Sequence, residues 1–219
     1  MTELPSTFGK YYLTEKLATG GMAEIYLAKL IGPGGFEKQL VIKQIHPKLS
    51  GQRHFVDLFV AEAKILVTLA HGNIVPVYEL GVERGTYFLA MEWVEGASAA
   101  ELLRACAPQG LSAEEGAYIG VEVCRALDYA HRRMNLVHRD VTPRNVMVDE
   151  EGQVKVIDFG IAAPVATAPS GHGVFGSPGH MPPEQMDAKE LTPAADVTGM
   201  TMTFHHSGWS PLRVVSRWS

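Results

Sequence analysis

At Gly96 the chain changes its residue pattern, and that change limits the folds open to it. Before this point short β-rich runs alternate with glycine turns: Tyr11–Leu17, Ile25–Ile31, Gln39–Ile45, Val75–Gly81 and Thr86–Glu92. Such runs predict a meander of antiparallel strands. One helix interrupts them, because Phe55, Leu58, Phe59, Ile65, Leu66 and Leu69 recur at three- and four-residue spacing. After Gly96 helix dominates. Ser112 with Glu115 has the form of a capping box, and Ile119, Val123, Ala126, Leu127, Ala130 and Met134 make an apolar stripe. Two short strands, Val146–Val148 and Val154–Ile157, flank a turn at Asp149–Gly152. From Gly160 to Pro183 the chain is rich in Gly, Pro, Ala and Ser without periodicity, which reads as a long loop, either functional or disordered. The expected class is α+β: a small β-rich lobe, a hinge near Trp93–Gly96 and a larger helical lobe.

Composition removes several function classes. The 219 residues carry 19 Lys+Arg against 24 Asp+Glu, a net charge of -5. That balance gives no support for a broad nucleic-acid footprint, although it permits a local basic patch. Cys106 and Cys124 are the only cysteines, so a reducing compartment is expected. Met1–Pro5 shows no basic and apolar leader, and the longest apolar stretch, Phe55–Ala70, is broken by Asp57, Glu62 and Lys64. A soluble cytoplasmic chain is expected, without membrane or nucleic-acid partners.

The chemistry-bearing residues follow in order. Gly20 and Gly21 lie in the turn Leu17–Ile25, which alone reads more readily as a hairpin than as a phosphate cradle. Glu62 falls inside the helical apolar stripe. It either meets a cation or marks a stripe edge that reaches solvent, and periodicity does not choose between these. Lys43, ending the apolar run Leu40–Ile42, reads alone as a snorkelling surface residue and, if paired with Glu62, as the cation that the stripe requires. His138–Asn145 (HRDVTPRN) puts a carboxylate, Asp140, and a carboxamide, Asn145, in one loop, with Asp158-Phe159-Gly160 beyond the next strand. Oxygen donors from two strand ends suit Mg2+, and Asp140 is left to act as a base.

In these motifs, taken together, the sequence resembles the eukaryotic-like serine/threonine protein kinases of bacteria, from Tyr11 to Asp196. The resemblance implies a two-lobed kinase fold with ATP and Mg2+ as cofactors. It divides the chain into an extension (1–10), a β-rich lobe (11–95), a partial helical lobe (96–196) and an atypical tail (197–219). Leu17, Ala18, Thr19, Gly20, Gly21, Met22, Ala23, Glu24 and Ile25 would cover the nucleotide. Lys43, paired to Glu62, would hold the α- and β-phosphates, and Met91–Val94, including Glu92 and Val94, would edge the adenine. Ile25, Val41 and Met147 would sandwich the purine, Asp140 would be the base, and Asn145 and Asp158 the metal ligands. The implied reaction is γ-phosphoryl transfer to a protein hydroxyl, on a protein substrate or on the chain itself. Arg139 implies control by phosphorylation of Thr167, Ser170 or Ser177, and Phe175–Glu184 would face the substrate.

Three departures qualify that resemblance. Ala18 and Ala23 stand where the outer glycines of the family's loop fall, and Thr142 stands where most serine/threonine members carry lysine. At Val197 the composition shifts: three threonines, His205-His206 and a Gly208–Pro211 turn are poor helix material. The helix begun at Ala194–Asp196 is therefore expected to stop, the tail to be out of frame or otherwise foreign, and the helical lobe to lack its last helices. A kinase-like module that binds nucleotide or a partner without catalysis is the alternative function.

Overall fold

The computed structural model describes residues 4–20, 22–159, 185 and 192–206, with residues 62 and 201–206 given by their backbone alone. The chain divides into two compact units: Met1–Ala70 with Val75–Trp93, and His71–Ile74 with Val94–Ser219.

The first unit is a six-stranded antiparallel sheet in the order β1-β2-β3-β4-β6-β5. Its strands are β1 (Ser6–Phe8), β2 (Tyr11–Thr19), β3 (Ala23–Ile31), β4 (Glu37–Ile45), β5 (Val77–Glu83) and β6 (Thr86–Glu92). Phe8, Tyr11, Tyr26, Leu40, Ile42 and Phe88 pack a core on one face, with the Phe8 and Phe88 rings edge to face at 5.1 Å. Each such side chain, once buried, is worth about 1.5–3 kcal/mol. The helix α1 (Arg53–Leu66) packs against β5 and β6. Of the expected stripe, Phe59 and Leu66 are buried and Phe55, Leu58 and Ile65 are half-buried; Leu69 is buried too, but beyond the end of the helix, and Ala63, outside the expected stripe, joins the buried face. β5 begins two residues later than the sequence suggests. Pro76 has no N–H for a ladder, and its carbonyl instead accepts the Glu92 amide at 3.1 Å.

The second unit has a small antiparallel sheet of β7 (Gly96–Ser98), β8 (Val146–Asp149) and β9 (Val154–Val156), with β8 in the middle. Among the described residues its helices are α2 (Ala99–Ala105), α3 (Ala113–Met134) and α4 (Pro193–His206). The expected capping box of α3 is present: the Glu115 amide donates to Ser112 Oγ at 3.2 Å, and the Ser112 amide donates to Glu115 Oε2 at 2.8 Å. A second capping box, Ser98 with Glu101, starts α2. Ile119, Val123, Ala126, Leu127 and Ala130 are buried along α3. Met134 departs from that stripe and is 38% exposed, because the helix ends there on Asn135 in the left-handed conformation (φ 48°).

The largest correction concerns Val197. The backbone stays helical from Pro193 through His206, so the helix does not stop at Asp196. Low propensity is overridden by anchoring at its start, where Ala195 and Asp196 are buried. Thr198 Oγ1 donates back to the Ala194 carbonyl at 3.0 Å, satisfying the hydroxyl within the helix. Met200 meets Cys124 of α3, sulfur to sulfur, at 3.7 Å.

Candidate functional site

In the first unit the chemistry gathers on the sheet face opposite the Phe8–Phe88 core. Side chains alternate along a strand, and Tyr26, Ala28, Leu40 and Ile42 belong to that core. Ile25, Val41 and Lys43 therefore share the other face, and the register places Ile25 directly beside Lys43 on neighbouring strands. The β2–β3 hairpin holds Leu17, Ala18, Thr19, Gly20, Met22, Ala23 and Glu24. Ala18 pairs with Ile25, Thr19 with Glu24, and the turn closes with Gly20 N–H donating to the Ala23 carbonyl at 2.8 Å.

Glu24 is tied at this hairpin by Lys16 (2.6 Å) and by the Tyr26 hydroxyl (2.8 Å). Burial raises its pKa, but those donors outweigh it and hold the carboxyl below its ordinary range. Glu92 ends β6. Gly21 and the Glu62 side chain lie outside the described residues, and with them the Lys43–Glu62 pair.

In the second unit the loop after α3 carries Asp140 into a short 3-10 turn, Pro143–Asn145. Asn145 Nδ2 donates to the Asp140 carbonyl at 2.9 Å and to Asp140 Oδ2 at 3.0 Å. The amide NH2 is thereby spent on Asp140, and the carbonyl oxygen of Asn145 is left as an acceptor. The Ile157 amide donates to the Asn145 main-chain carbonyl at 2.9 Å, so the strand leading to Asp158 is sewn to the same turn. Asp158 and Arg139 both have positive φ, 49° and 70°. For non-glycine residues such backbone is strained and persists only where neighbours enforce it. The oxygens of Asn145 and Asp158 suit a hard cation such as Mg2+. Met147 lies on β8 opposite Ser98, and Val94, buried, begins the longer of the unit's two stretches of chain.

Beneath this loop sits a residue whose role no sequence motif disclosed. Asp196 is 1% exposed and accepts three hydrogen bonds: from His138 N (2.7 Å), from Arg139 N (2.8 Å) and from His131 Nε2 (2.7 Å). Its partners lie 57 to 65 residues away in sequence, beyond any periodicity window. The one available signal was an acid among alanines at a helix start.

His138 is also fully buried. Its Nδ1 accepts from the Asp140 amide (3.3 Å) and its Nε2 faces the Ile157 carbonyl (3.2 Å), which requires the neutral Nε2–H tautomer. Burial pushes its pKa down, against the opposing pull of Asp196. The ring packs on Phe159 at 4.5 Å. Gln185, also buried, donates through Nε2 to the Arg139 carbonyl at 2.9 Å. Thr142, at the departure from the family pattern, is 3% exposed, whereas Arg144 is exposed. Thr167, Ser170, Ser177 and the stretch 175–184 lie outside the described residues.

A β-rich unit with a hairpin over a lysine-bearing strand, and a helical unit with this loop, define the protein kinase fold. The protein kinase domain family matches residues 11–210, and the chain belongs to it. The kinase domain of PknI from Mycobacterium tuberculosis is similar in structure, with a TM-score of 0.74 at 28% identity, over 96% of this chain and 78% of that one. In sequence the chain is 37% identical to the tyrosine-protein kinase MasK of Myxococcus xanthus over 94% of its length. It is 34% identical to the serine/threonine-protein kinase PrkC of Bacillus subtilis over 86%, and 32% identical to PknF of Mycobacterium tuberculosis over 92%. It spans 34%, 28% and 43% of those three proteins. Among the described residues no helix is long and apolar enough to cross a membrane.

Proposed function

We propose that the chain is an ATP-dependent protein kinase that phosphorylates serine and threonine hydroxyls of proteins, itself included, in the cytoplasm. The observation that carries this reading is the Asp140–Asn145 pairing, on a loop whose amides are fixed by buried Asp196. The first unit is the nucleotide-covering lobe in this reading, with Ser6–Phe8 of the expected extension built into its sheet as β1, and residues 96–196 belong to the lobe that carries out transfer.

Each side chain then has a task. The hairpin Leu17–Ile25 covers the phosphates with main-chain amides, and Lys43, held by Glu62, neutralises the α- and β-phosphates. Ile25, Val41 and Met147 enclose the purine, while the Glu92 and Val94 backbone borders it. Asn145 and Asp158 hold Mg2+, which when bound offsets phosphate charge. Asp140 orients the acceptor hydroxyl and takes its proton. The hydroxyl oxygen forms a bond to the γ-phosphorus as the bond to the β–γ bridging oxygen breaks, and ADP leaves. Neutral His138 and Asp196 keep Asp140 in place without entering the reaction.

The acceptor class rests on the names of PrkC and PknF. The name of MasK makes tyrosine the competing acceptor to be scored. The test is transfer of labelled γ-phosphate to a generic protein substrate, followed by phosphoamino-acid analysis. Asp140→Asn is expected to lower the rate by about 10²–10⁴-fold while leaving the fold intact. Nucleotide binding without transfer by the unmodified chain would instead support a non-catalytic module.

A further inference from the structure

On the second unit, α3 and the segment before Ile74 enclose a groove of about 330 Å3 lined by His71, Arg125, Asp128, Tyr129, Arg132 and Arg133. Three guanidinium groups and one carboxylate line it, and with Glu122 held against Arg125 the cluster keeps one positive charge in excess, on a chain whose net charge is -5. Two of the arginines are oriented by neighbours on their own helix, Arg125 by Glu122 and Arg132 by Asp128. A guanidinium has five N–H donors, and one carboxylate occupies at most two, so both keep donors for a ligand. Arg133 is exposed and meets no carboxylate among the described residues.

The groove floor is aromatic, with the His71 and Tyr129 rings tilted together at 5.0 Å. His71 Nδ1 accepts from the Asn73 amide at 3.1 Å, which leaves Nε2–H as its donor. Asn73 in turn donates to Glu122 at 2.9 Å and to the Val154 carbonyl at 2.8 Å, so the wall carrying His71 is tied to α3 and β9. A groove held this way is pre-organised, and multiple forked donors beside a flat apolar floor fit a tetrahedral dianion carried on a chain.

We propose that this groove docks a phosphorylated segment of a protein partner, with the phosphate on Arg132 and Arg133 and the flanking peptide over Tyr129 and His71. The inference rests on the kinase reading only for the source of the phosphate, since a kinase meets phosphorylated proteins as products. Binding is read without nucleotide, so it stands or falls independently of phosphoryl transfer.

The experiment is fluorescence anisotropy of the chain with a labelled peptide bearing one phosphoserine, with the unphosphorylated peptide and with inorganic phosphate as competitor. Saturable binding of the phosphopeptide, weakened about tenfold or more in Arg133→Gln, is expected, since a charge-assisted contact is lost. Equal binding of both peptides overturns the proposal. So does competition by inorganic phosphate with no peptide preference, or an Arg133→Gln affinity equal to that of the unmodified chain. Should Arg133→Gln melt early, the ring proton resonances of His71 and Tyr129 in the unmodified chain decide. They shift on phosphopeptide addition if the groove is the site, and stay unmoved if it is not.

Discussion

Asp196 and His138 bear the heaviest demands of any single residues here, because both are polar and fully enclosed. In Asp196→Asn one oxygen becomes an NH2 that turns a donor toward a donor, and a buried main-chain amide of the Asp140 loop loses its acceptor. The expected loss is about 2–5 kcal/mol in urea unfolding. A change near zero would show that His138 and Arg139 find other acceptors. His138 predicts a pH dependence. Its folded pKa lies below its ordinary value of 6.5, so the unfolded chain binds the extra proton first. Its contribution is whole above that value and is lost as pH falls below it, with a slope of up to about 1.4 kcal/mol per pH unit. Stability measured from pH 7.5 down to 5 should decline, and His138→Gln should flatten the decline. An unchanged slope would assign it to other groups.

At the scale of elements, β7 depends on one residue without a side chain. A Cβ on Gly96 would collide with the Val148 carbonyl oxygen and lie 2.6 Å from the Asp149 Cα, and neither backbone atom can swing aside. Gly96→Ala should therefore force β7 from β8. Amide exchange would show this as lost protection at Val148, with α3 unaffected. Uniform protection in that variant would mean that the strand pair shifts as a body. The helices are more tolerant, because capping boxes at Ser98 and Ser112 are each worth only about 1 kcal/mol.

For the molecule as a whole, the kinase reading links ligand to stability. Mg-ATP at a hundredfold excess over its Kd should raise unfolding free energy by about 2.7 kcal/mol, since only the folded chain binds it. Chelating Mg2+ should remove most of that gain, and Lys43→Met should reduce it, by calorimetry. A melting temperature indifferent to nucleotide would contradict the assignment of Leu17–Ile25 and Lys43.

Strand alternation, helical periodicity and the ordered motifs were legible in the residues themselves, because each depends on neighbours within a turn or two. That reach identified α1, α3, the Ser112 cap, and the Asp140 and Asn145 pair, five residues apart on one loop. It failed at Asp196, whose three partners come from 57 to 65 residues upstream, and at the helix beyond Val197, where anchoring overrides propensity. It failed also at the groove of His71 and Tyr129, which no spacing announces. The sequence by itself determined the strands β2 to β6, the helices α1 and α3 and the chemistry of the loop, through local sterics and hydrophobic period. Tertiary structure alone decided which buried acid holds that loop and where basic side chains gather, because burial and charge pairing depend on distance in space.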